Sequence, residues 1–168
     1  MRIDNITTVV GDTGIVPSAS FATTASYYRT LYANLGLTGN LAGYGLNSEI
    51  TWSSAVTSSE ITVSNSNITL PAGTWTVNAD INCFNFSDTT NGYLNFNLMN
   101  SSNVVITGTT QANPGPVAAT YNYSVSGKII GIFTITTPTV VKFRVPAAQG
   151  TATVGASNTR AIFTSINI

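Results

Sequence analysis

The sequence predicts an all-β chain, an antiparallel sandwich of the jelly-roll kind preceded by an N-terminal arm, and three observations carry that prediction. The stretch "TWTVNADI" alternates strictly, with Trp75, Val77, Ala79 and Ile81 on one side and Thr76, Asn78 and Asp80 on the other, the pattern of a half-buried strand. From about Glu49 onward, short β-rich runs recur with turn residues between them. Only 7% of the 168 residues are charged, against about a quarter in ordinary globular chains. Ser, Thr, Asn and Gly interrupt every apolar run well before membrane-spanning length, so the polar surface must be built from hydroxyls and amides.

Taken in order, the strands are expected near 50–56, 60–63, 67–70, 74–82, 93–99, 104–107, 121–126, 129–136, 139–145 and 160–168. Their separators are of the expected kind: "SNSN", "PAG", "SDTTNG", "NSSN", "QANPGP", "TTP" and "AAQGTATVGASN". Cys83, in phase with Ile81, is expected on the core face as a small hydrophobe. The domain therefore covers 49–168, and 1–48 is an arm or attachment segment.

Two strands have apolar residues on both faces. In "IIGIFTIT", Ile129, Phe133 and Ile135 share one side while Ile130 and Ile132 occupy the other. In "RAIFTSINI", Ile162, Ile166 and Ile168 point one way and Phe163 the other. One face fills the sandwich. The second is covered either by a loop of the same chain or by another subunit, which makes Ile130, Ile132 and Phe163 the candidate subunit-interface residues.

The first 48 residues differ in character. "FATTASYYRTLYANLGL" places Phe21, Ala25, Tyr28, Tyr32 and Leu35 at helical spacing, yet it is rich in Thr and Ser, so a brief helix and an extended adhesive arm both remain open. Its aromatics Phe21, Tyr27, Tyr28 and Tyr32 are too many to leave in water, and are expected to pack on another chain. "GLTGNLAGYG", with no adjacent Lys and no helix to open, is expected to be a connector and not a phosphate loop.

Candidates for chemistry are few. There is no histidine, which removes the commonest general base and metal ligand and with them any Ser-His or Cys-His arrangement. The six acidic residues are isolated along the chain, and no cofactor is expected. The chain is read as no enzyme. Net charge is zero with no basic cluster, which argues against nucleic acid and against an anionic membrane, and no membrane insertion is expected. The N-terminus lacks the apolar segment of a signal peptide, so nothing marks the chain for secretion by its own signal. Five Asn-x-Ser/Thr triplets, at Asn5, Asn67, Asn85, Asn100 and Asn122, are what a chain this rich in Asn, Ser and Thr produces by chance.

The stretch "ITLPAGTWTVNADI" resembles the Leu-Pro-Ala-Gly-Thr-Tyr strand start of jelly-roll domains in phage and other viral structural proteins, a branch similar in plan to the trimeric C1q and tumour-necrosis-factor fold. The resemblance continues through "SVSGKIIGIFTITTPTVVKFRV" and ends in "NTRAIFTSINI", covering roughly 50–168. Trp75 stands where that pattern has Tyr or Phe. The resemblance implies a homotrimer in a virion, as a spike or fibre head or a capsid decoration. Such a protein contributes to particle stability or host attachment and contacts other virion proteins through its arm. A host-surface glycan or receptor is a further implied partner. The alternative is a carbohydrate-binding module presenting Trp52, Tyr93, Tyr121 and Tyr123 to sugar rings.

Overall fold

A computed structural model describes residues 30–88, 92–114 and 124–166. Among the described residues eleven strands follow one another: β1 Tyr32–Gly36, β2 Leu41–Tyr44, β3 Ser54–Thr57, β4 Thr62–Ser64, β5 Asn67–Leu70, β6 Gly73–Phe84, β7 Tyr93–Asn100, β8 Val125–Ile135, β9 Thr139–Gln149, β10 Ala152–Val154 and β11 Arg160–Ile166. Sheet A runs β2-β10-β6-β11-β1-β3, with β8 on the opposite side of β6; sheet B runs β4-β5-β9-β7. Every strand pair is antiparallel.

The long strand β6 organises sheet A, and the alternation read from the sequence is its burial pattern. Trp75, Val77, Ala79, Ile81 and Cys83 are buried, while Thr76, Asn78 and Asp80 face out. The Trp75 indole N–H is satisfied by the Pro71 carbonyl at 3.1 Å, which lets so large a side chain sit in the core without an orphan donor. Burial pushes the Cys83 thiol up to about 12, so it is a neutral small hydrophobe at ordinary pH. The sheets meet through aromatic rings: Phe143 of β9 lies 5.9 Å from Phe163 of β11 and 5.4 Å, edge to face, from Trp52.

Several expectations are corrected. The N-terminal boundary falls near residue 30, because β1 pairs with both β11 and β3 and buries Ala33 and Leu35 completely, while β2 pairs with β10. Neither helix nor loose arm describes 32–44. Thr and Asn disfavour a helix there, and period-two placement of Ala33 and Leu35 fits a strand inside sheet A with one face on the core. The glycine-rich "GLTGNLAGYG" thus closes β1 and forms β2 instead of serving as a connector. The runs expected at 121–126 and 129–136 meet in one strand, β8, whose Gly127 and Lys128 do not interrupt it; residues 121–123 lie outside the described residues. Residues 104–107 form no strand, only a bridge from Val105 to Met99. The short β10 was concealed in a segment that reads as loop.

A buried-edge ion cluster fixes the segment before β3 to sheet B. The Lys142 ammonium donates to Glu49 Oε1 at 2.5 Å, Ser66 donates to Glu49 Oε2 at 2.9 Å, and Arg144 Nη2 donates to Asn47 Oδ1 at 2.7 Å. Burial works to raise the Glu49 carboxyl. The hydrogen bonds from Lys142 and Ser66 and the charges of Lys142 and Arg144 together outweigh it and hold the group below its ordinary value.

Candidate self-association face and polar cavity

The outward side of sheet A is a broad, nearly uncharged surface, and strand register assembles it in rows. One row runs Val56, Asn34, Ile162, Asn78, Ile130 across β3, β1, β11, β6 and β8. The next runs Tyr32, Thr164, Thr76, Ile132. Ile132 is 59% exposed, Val56 57%, Ile130 48% and Tyr32 46%, an apolar exposure that the threonines and asparagines between them dilute but do not cover. Thr74 and Thr134 bond to each other at 3.0 Å, and Thr76 donates to the Thr164 carbonyl at 3.3 Å.

Pairing through the β8 edge is closed off. Ile132 N–H donates to the Gly108 carbonyl at 3.2 Å, and Thr110 N–H to the Ile130 carbonyl at 2.8 Å, so the 108–110 segment occupies that edge. Gly131 makes the approach possible, since a Cβ there would stand 2.2 Å from the Gly108 carbonyl oxygen. The surface that β8 offers is therefore its face.

One end of this face is charged. Arg160, Asp80 and Lys128 lie side by side on β11, β6 and β8. Lys128 Nζ is 3.4 Å from Asp80 Oδ1, whereas Arg160 makes no ion pair with any described residue. Beside this row lies a cavity of about 470 Å³, lined among the described residues by Asp80, Ser126, Ser157, Asn158 and Arg160.

Of the interface residues expected from sequence, Ile130 and Ile132 lie exposed on this face, and no described loop of the same chain covers them. Phe163 does not. It is fully buried against Phe143, opposite Val77 in the inward row, and Ile162 takes the outward position. Tyr32 is part of β1 and not of an arm, and it adds to the face; Phe21, Tyr27 and Tyr28 lie outside the described residues. Of the aromatics proposed for sugar contact, Trp52 is buried against Phe143 and cannot stack on a ring in solvent. Tyr93 is half-buried at the start of β7, and Tyr121 and Tyr123 lie outside the described residues. Val56 and Ile162 join the face only through register, and no local sequence signal marks Val56.

No family model matches the sequence, and no curated protein matches it. Solved structures do match. A crystal structure of murine APRIL at pH 5.0 superposes with a TM-score of 0.60 at 8% identity, covering 82% of this chain and 100% of that one. Eiger TNF from S. frugiperda gives 0.57 at 10% identity, covering 82% of this chain and 94% of that one. The fold is a TNF-like jelly roll. At such identity the likeness is one of architecture. Within this TNF-like jelly roll the two antiparallel sheets enclose one aromatic core, and the outward side of sheet A is left uncharged except along its Arg160–Asp80–Lys128 end.

Proposed function

We propose that this chain is a homotrimeric, non-enzymatic jelly-roll component of a virion, a spike or fibre head or a capsid decoration, that contributes to particle stability or host attachment. The observation that carries the reading is the outward face of sheet A, where Tyr32, Val56, Ile130 and Ile132 stand exposed together with few charges to oppose burial. Such a surface is suited to a heterologous contact that closes into a ring, each copy presenting the face to the next. The 108–110 segment across β8 favours a closed assembly over open-ended edge pairing. The resemblance of "ITLPAGTWTVNADI" to viral jelly-roll proteins supports the virion setting, and residues 1–29 are the proposed contact to other virion proteins.

The test has two parts. Native mass spectrometry of the purified chain should give a trimer at micromolar concentration, and a stable folded monomer contradicts the reading. Quantitative mass spectrometry of purified particles should find the chain at a fixed, symmetry-related copy number; its absence from them removes the virion role.

A further inference from the structure

We propose that the cavity beside Arg160 binds a small carboxylate-bearing polyol, an acidic monosaccharide in chemical class, at a place separate from any aromatic platform. At about 470 Å³ it falls within the range of small-ligand sites, roughly 300–1,000 Å³. Its described lining comes from β6, β8, β11 and the 3-10 turn Ala156–Asn158, so four elements converge on one volume. Every one of those side chains is polar.

The donor and acceptor inventory selects the ligand. Arg160 is exposed and forms no ion pair with a described residue, so its planar fork is free for a carboxylate. Ser126 Oγ already accepts from Asn82 Nδ2 at 3.1 Å, which leaves the Ser126 hydroxyl proton to be donated. Asn82 is itself buried and also held by Thr159, whose Oγ1 accepts from the Asn82 backbone N–H at 3.0 Å, so Ser126 is supported from below by a fixed group. Asn158 and Ser157 add an amide and a hydroxyl. Among the described lining these groups face one carboxylate, Asp80, whose Oδ1 faces Lys128 and whose Oδ2 remains to accept from a ligand hydroxyl. A described lining with one cation outside any described ion pair, one carboxylate, and hydroxyl and amide groups that both donate and accept fits a ligand carrying a carboxylate and hydroxyls; a neutral sugar leaves the Arg160 charge unanswered, and a bare anion leaves Asp80 without a donor.

The experiment is saturation-transfer NMR on the full chain with D-glucuronate, D-glucose and acetate as probes. The expected result is saturable glucuronate binding in the millimolar range, with glucose and acetate each weaker by about tenfold or more, the loss of one charge-assisted contact or of the hydroxyl contacts. Arg160→Ala should weaken glucuronate by about tenfold or more, and Asn158→Ala by a smaller factor; both positions are exposed, and an unchanged melting temperature verifies that the fold persists. No glucuronate binding, equal binding of acetate, or binding unchanged in Arg160→Ala overturns the proposal. None of these outcomes depends on whether the chain is a trimer.

Discussion

Replacing Ile132 with Asp tests the outward face of sheet A directly, because the same substitution has different costs in the two settings. In an isolated subunit Ile132 is 59% exposed, and its backbone N–H is held by the Gly108 carbonyl whatever the side chain. There the change costs about 1 kcal/mol or less, the span of strand preferences. Buried against a second subunit, the Ile side chain gains a little over half of the roughly 1.5–3 kcal/mol that full burial brings, so about 1–2 kcal/mol. The Asp forfeits that and adds several kcal/mol for a carboxylate without a partner. A combined loss of about 4 kcal/mol weakens the contact about a thousandfold, and a trimer contains the change three times. Sedimentation velocity across a micromolar concentration series should therefore show Ile132→Asp as a folded monomer where the parent is a trimer. Val104→Asp is the control: Val104 is equally exposed, at 59%, but it lies in the turn after β7 and off this face, and it should leave the trimer intact. If Ile132→Asp remains a trimer with an unchanged dissociation profile, this face is not the interface.

The remaining predictions concern the fold. Trp75→Ala and Phe163→Ala should each cost about 3–5 kcal/mol in denaturant unfolding, since both side chains are buried to 1% or less; a Phe163→Ala variant that keeps parental stability but loses association would return Phe163 to the interface. A chain beginning at Leu46 should fail to give a cooperative melt by circular dichroism, because it lacks β1 and β2 and the fully buried Leu35, while one beginning at Thr30 should fold; a cooperative melt of the shorter chain would restore the arm boundary to residue 48. Glu49 is held below its ordinary value of 4.5, so the stability it contributes is complete above that value and is lost as pH falls through the lower folded value. Melts from pH 6 down to pH 3 should show a loss of stability below about 4.5 that is reduced in Glu49→Gln; an identical acid profile in the variant would show that this carboxylate is not linked to folding.

Local pattern was enough to place most of the sandwich. Alternation in "TWTVNADI" fixes which side chains of β6 share a face, since side chains on a strand have period two whatever surrounds them. It placed Trp75 and Cys83 in the core and separated Ile129 and Phe133 from Ile130 and Ile132. What alternation cannot say is which face of an apolar strand turns inward. Phe163 and Ile162 are both hydrophobic neighbours on β11, and only the pairing of Phe163 with Val77 of β6 sends the first into the core and the second outward. The same dependence on pairing hid β1, β2 and β10, which are three to five residues long and too short to declare themselves; β1 is a strand because β11 and β3 supply its hydrogen bonds, β10 because β6 does, and β2 because β10 does. The candidate sites are further still from the sequence: Val56 and Ile130 stand in one row across five strands, and Asp80, Ser126, Asn158 and Arg160 converge on one cavity from four elements. The sequence by itself determined the strand period, the buried phase of β6 and a surface made of amides and hydroxyls, because these depend on each residue and its nearest neighbours. The tertiary structure alone decided the outward face, the charged row and the cavity, because register brings together residues that are distant along the chain.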